Sequence, residues 1–166
     1  APGMRERGSE LMLVKKPAGI AGFAIVLGLA PAFAEDAPTL ADLRNDAALT
    51  AAFEAMAGET PMPDWLEQPI VTTPTAKASF DGKSWLVMYG CKQHDCAAHR
   101  IAVIYSAEAG KMHGVLSDTS ENGDEEALRW LNIGGGPESI DGRTILYAAL
   151  TGSLANHPGD FDYNPD

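Results

Sequence analysis

A chain of 166 residues with 45% hydrophobic and 21% charged side chains is long enough for one domain with a real core, and no repeat, heptad or long linker points to a second. Its formal net charge of −11 argues against nucleic acid as a partner. The acid excess reads equally as attraction to a basic protein or as plain solubility.

In chain order, Lys15 and Lys16 precede an apolar run over residues 18–30 that closes on Ala32-Phe33-Ala34, the order of a secretory signal with cleavage after Ala34. The run falls short of the roughly 18 to 20 apolar residues that cross a bilayer, so no membrane span is expected in the mature chain. Met12 stands where a natural start would be. Residues 1–34 are therefore set apart as an upstream extension plus signal peptide, and residues 35–166 form the domain. That domain keeps eight basic and 21 acidic side chains, a net charge near −13.

Thr39 followed by Asp42 is a helix N-cap pattern, and Leu49, Phe53 and Met56 extend an apolar face toward Gly58. A helical region is predicted to about Ala57, with Asn45-Asp46 as a point where it can break in two. From Thr72 the pattern turns to alternation. Ala76, Ala78 and Phe80 lead to a two-residue Asp81-Gly82 turn and a β-rich stretch over residues 84–89, a hairpin. Residues 100–106 read as a buried strand, and 108–110 turn into another over 111–116, completing an antiparallel meander of four strands. After a polar, acidic loop over residues 117–124, Ala127, Leu128 and Leu131 stand at helical spacing, which predicts a short helix over 124–132 ended by Gly134-Gly135-Gly136-Pro137. Asp141-Gly142 marks a further turn, periodicity leaves residues 144–150 as either strand or helix, and the tail from His157 reads as irregular.

Between two hydrophobic strands stands Gly90-Cys91-Lys92-Gln93-His94-Asp95-Cys96, a polar excursion that contains both cysteines of the chain. An oxidising compartment would join them. For so small a ring the chain-entropy gain is only about 2 kcal/mol. Pre-organisation is the better motive, because ordering one flexible backbone residue on binding costs about 1 to 2 kcal/mol. Redox chemistry would want Cys-x-x-Cys at a helix start, whereas four residues intervene here. His94, Asp95 and His99 match no common zinc spacing, and no Gly-x-Ser-x-Gly or other nucleophile pattern is present. No cofactor, no metal and no enzymatic activity are expected. On the residues alone, His94 reads as readily as a loop imidazole bonded to its neighbours as it does a binding group.

The Cys-Lys-x-His-Asp-Cys loop resembles the hallmark of the inhibitors of vertebrate lysozyme (Ivy) of the Gram-negative periplasm. The resemblance extends to Arg100-Ile101-Ala102-Val103, Trp130-Leu131-Asn132, Ser139-Ile140-Asp141-Gly142, the block at residues 148–154 and Asn156-His157-Pro158, essentially the whole mature chain. It implies an α+β single domain, a central antiparallel sheet of about five strands with helices on its faces in an αβα sandwich. It also implies a periplasmic inhibitor of C-type lysozyme whose disulfide-closed Cys91–Cys96 loop occludes the catalytic cleft. His94 would hydrogen-bond the enzyme's catalytic carboxylates, with Lys92, Gln93 and Asp95 shaping the loop or touching the cleft walls. The family often has proline between its Lys and His, where this chain has Gln93, a departure that bears on affinity. A rival reading is a periplasmic interaction or stress protein that binds endogenous lytic transglycosylases and controls cell-wall turnover. The sequence leaves both monomer and homodimer open.

Overall fold

In the computed structural model, residues 36–164 are described; the signal-like segment lies outside them. Thr39 caps a 3₁₀ turn, Leu40–Arg44, with the reciprocal Thr39 and Asp42 bonds of a capping box. Asp46 then accepts from the N–H groups of Ala48 and Leu49, both at 3.0 Å, and opens α1, Ala47–Ala57. The break expected at Asn45-Asp46 is therefore where one turn ends and the next helix is capped. Gly58, at φ +54°, closes α1.

Six strands form one antiparallel sheet: β1 Ile70–Thr72, β2 Ala76–Phe80, β3 Lys83–Lys92, β4 His99–Ser106, β5 Lys111–Thr119 and β6 Glu126–Leu131. β3, β4, β5 and β6 pair in sequence order. β1 and β2 both pair with β3, β2 along its first half (Ala76↔Val87) and β1 at its far end (Ile70↔Lys92). One strand absent from the sequence reading is β1, three residues long and too short to show a period. Asp81 and Gly82 both have positive φ, +54° and +67°, the signature of a type I′ hairpin turn. The tail forms a parallel bridge to β2 at Ser79↔Asp162, with Ser79 N–H donating to Phe161 O at 3.1 Å.

Two segments differ from expectation. The helix expected over 124–132 is β6, because Leu128 and Trp130 pair with Ser117 and Val115 of β5 and pack on one face while Leu131 packs on the other. Cross-strand pairing overrides a spacing that three apolar residues met by coincidence. Asp141-Gly142 is no turn but the start of α2, Asp141–Thr151, which also settles residues 144–150 as helix. A Cβ on Gly142 would meet Ile104 Cδ1 at 3.3 Å, so the helix begins where it lies close against the sheet.

Both faces of the sheet are covered, since successive residues of β4 enter opposite cores. Ile101, Val103 and Tyr105 join Leu49, Ala52 and Met56 of α1. Ala102 and Ile104 join Ile145, Leu146 and Ala148 of α2 and Leu154 of α3, Ser153–Asn156. An αβα layering results, with the end of β3 and the start of β4 at one end of the packed sheet. Among the described residues no helix is long and apolar enough to cross a membrane.

Candidate functional site

At the end of β3, Cys91 is flanked on both sides, by Val71 of β1 and Arg100 of β4, and is 1% exposed. It is bonded to Cys96 with a Cα–Cα distance of 4.8 Å. Gly90, Cys91 and Lys92 thus belong to the strand, and the excursion proper is residues 93–98, shorter than the sequence suggested. Gly90 sits tightly there: a Cβ would lie 3.1 Å from Ile70 Cδ1 and 3.2 Å from Leu40 Cδ1, and both side-chain ends would have to shift.

Beyond Lys92 the chain reverses in a β-turn, with Asp95 N–H donating to Lys92 O at 3.0 Å. His94 takes the third turn position at φ +66°, as in a type II turn. A non-glycine residue there costs about 1 kcal/mol or more and persists only where its surroundings enforce it. The ring closed by Cys96 is such a surrounding. Gln93 and His94, the two central residues, are exposed, and neither His94 ring nitrogen has a hydrogen-bond partner among the described residues. The reading of His94 as an imidazole bonded to its neighbours is therefore not the arrangement found.

The base of the loop is stitched to the sheet. Asp95 O accepts from the N–H groups of Ala98 at 3.2 Å and His99 at 3.1 Å, and Ala98 O accepts from Thr119 N–H at 2.8 Å. The Asp95 carboxylate lies 3.3 Å from Lys92 Nζ and 3.6 Å from His99 Nε2, while His99 Nδ1 lies 2.7 Å from Asp118 Oδ1. Arg100, next to this base, donates to Glu126 Oε1 at 2.7 Å and Ser117 Oγ at 3.1 Å, joining β4, β5 and β6. Lys92 and Asp95 are paired across the turn, whereas Gln93 and His94 are exposed. His99 and Asp118 went unnoticed as loop residues, since they stand 19 positions apart and only the β4–β5 register brings them together.

The electrostatics at this end of the sheet are acidic. The β5–β6 loop carries Glu121, Asp124 and Glu125 beside Asp118 and Glu126, while Lys92, Arg100 and Arg129 are engaged in ion pairs. Asp95 and His99 meet but His94 does not join them, and no group of three His, Cys, Asp or Glu side chains among the described residues is placed to hold a metal ion. An apolar groove lined by Val87, Tyr89 and Leu154 opens on the α2 and α3 face, where burial pushes the Tyr89 hydroxyl pKa up against the lowering effect of Arg100. It brings together no convergent set of polar groups. The candidate site is a convex, disulfide-braced loop, suited to entering a cleft in another molecule.

Comparison with known proteins shows which family the chain resembles. The family model described as Inhibitor of vertebrate lysozyme (Ivy) matches residues 48–149. The Inhibitor of vertebrate lysozyme of Escherichia coli strain K12 is 39% identical over 132 residues, covering 80% of this chain and 83% of that protein. The protein of the same description from Pseudomonas aeruginosa is 30% identical over 88 residues, covering 52% and 58%.

Proposed function

The chain belongs to the family of inhibitors of vertebrate lysozyme, proteins that block an enzyme and are not enzymes themselves; from that premise we propose that it is a periplasmic inhibitor of C-type lysozyme whose Cys91–Cys96 loop enters the catalytic cleft with His94 foremost. The observation that carries this reading is the exposed imidazole, with neither nitrogen hydrogen-bonded among the described residues, on a turn held by a disulfide and by the sheet beneath it.

Lysozyme cleaves its polysaccharide with two carboxyl groups that flank the scissile bond, one protonated as the acid and one ionised. A neutral imidazole carries one N–H donor and one acceptor nitrogen on different edges. It matches such a pair, donating to the ionised group and accepting from the protonated one. An imidazolium would donate to both if both were ionised. Occupying the gap also excludes the sugar ring that must lie there for hydrolysis.

Pre-organisation supports the same reading. The turn already holds its strained φ in the free protein, so the ordering of residues 93–95 is not charged against binding. Electrostatics favour a basic partner, because the acidic side chains near the loop raise the encounter rate with an oppositely charged surface. The disulfide requires an oxidising compartment, and residues 15–34 read as the export signal that would deliver the chain to the periplasm.

The test is direct. The purified domain, residues 35–166, is titrated against a C-type lysozyme acting on cell walls. Lysis is expected to stop near one inhibitor per enzyme, and undiminished lysis at a large excess of the protein would refute the proposal. The same titration against lytic transglycosylases separates the rival reading, which expects those enzymes to be halted and lysozyme spared.

A further inference from the structure

His99 stands between two carboxylates from different parts of the chain. Nδ1 is 2.7 Å from Asp118 Oδ1 on β5, and Nε2 is 3.6 Å from Asp95 Oδ2 on the loop. An ionised carboxylate only accepts hydrogen bonds, so the 2.7 Å contact requires the proton on Nδ1. In the neutral ring Nε2 is then a bare lone pair on the side of the Asp95 carboxylate, at ion-pair rather than hydrogen-bond distance, and only the imidazolium attracts both carboxylates.

The charged groups around the ring define the balance. Asp95 comes from the loop and Asp118 from β5. Lys92, at the end of β3, shares Asp95 Oδ2 at 3.3 Å, and Arg129, on β6, reaches Asp118 Oδ2 at 3.7 Å and donates to Pro61 O at 2.9 Å. A further neighbour is an uncharged ring, Trp65 of the 3₁₀ turn Asp64–Glu67, 6.4 Å away between centroids. A line of polar contacts therefore runs from the loop through His99 to β5, β6 and the segment after α1.

We propose that His99 is a positioning residue for the inhibitory loop: with both ring nitrogens protonated it ties Asp95 to Asp118 and braces the turn that presents His94, and with one proton it releases the Asp95 side. Asp95 opens this tether because its own N–H and C=O define the turn, so fixing its side chain fixes the residue that follows His94. The proposal rests on the reading of the loop as the contact with lysozyme, and it adds that inhibition is tuned by pH through a residue outside the loop's own ring.

The test uses the intact domain and two variants, His99→Gln and Asp118→Asn, which cut the tether from either side. In the free protein, NMR follows the His99 ring and the amides of residues 93–96 through a pH titration. The amides are expected to follow the His99 titration in the wild type and to lose that response in both variants. Against lysozyme, the ratio of variant to wild-type inhibition constants cancels the titrations of His94 and of the enzyme, which all the proteins share. That ratio is expected to be about two- to fivefold on the acid side, the worth of a solvent-exposed ion pair, and to fall to one as His99 loses its second proton. A ratio that does not change with pH, or loop amides that ignore the ring, would overturn the tether. Failure of the loop reading itself would show differently, as a His94→Ala protein of full potency, and the free-protein amides would still decide the tether.

Discussion

Two connections leave strand β3, and they solve unequal problems. Toward β2 the chain turns in two residues, Asp81 and Gly82, both at positive φ and both dictated by the twist of the strands. Toward β4 it spends residues 93–98, a disulfide and a left-handed histidine on a reversal that two residues could have made. The first turn is explained entirely by the strands it joins. The second is not, and what it has in excess of a turn, an exposed imidazole on a braced ring, is what a partner can use.

The largest expected effect falls on the second connection alone. His94→Ala should weaken inhibition about 30-fold or more, as for a central contact at an interface, with circular dichroism and melting temperature unchanged. Unchanged potency would erase the functional difference between the two turns.

Reduction of the Cys91–Cys96 bond should lower affinity about tenfold, the equivalent of ordering one backbone residue, and reduce stability by about 2 kcal/mol without unfolding the domain. Inhibition assays before and after verified reduction, with denaturant melts alongside, measure both. Equal potency would remove pre-organisation from the account.

Gly82→Ala supplies the converse. Nothing lies within 4 Å of a Cβ there, so the cost is conformational, about 1 kcal/mol of stability, with no change in inhibition. A loss of potency in this variant would mean that the two connections are coupled through β3.

A modest effect of opposite sign is expected from Gln93→Pro. Gln93 is the second residue of the turn, where proline's φ near −65° is standard, and Lys92 before it is already extended. Inhibition should tighten about two- to fivefold through a less flexible unbound loop. Weakened inhibition would show that the Gln93 side chain makes a contact of its own.

What could be read in the sequence follows from how local each feature is. Thr39 with Asp42, and Asp81 with Gly82, carry their geometry within four residues, and the structure has both. The Cys91 to Cys96 motif was likewise visible as a unit. β6 reads as a helix because Ala127, Leu128 and Leu131 fit a helical stripe, whereas their partners Asp118, Ser117 and Gly114 on β5 decide the conformation. β1 exists because the far end of β3 would otherwise be an unpaired edge, a need no three-residue window reveals. At the site, the identity of the loop residues was legible but not the division of labour among them. That Lys92 and Asp95 are engaged in ion pairs while Gln93 and His94 face solvent depends on the turn's φ angles and on His99 and Asp118 being placed side by side by strand register.

The measurement that bears most directly on the central claim is the structure of the complex with a C-type lysozyme. The account predicts residues 93–95 inside the glycosidase groove, with the His94 ring within hydrogen-bonding distance of both catalytic carboxyl groups. A complex in which that loop faces solvent, or meets the enzyme away from its groove, would contradict it.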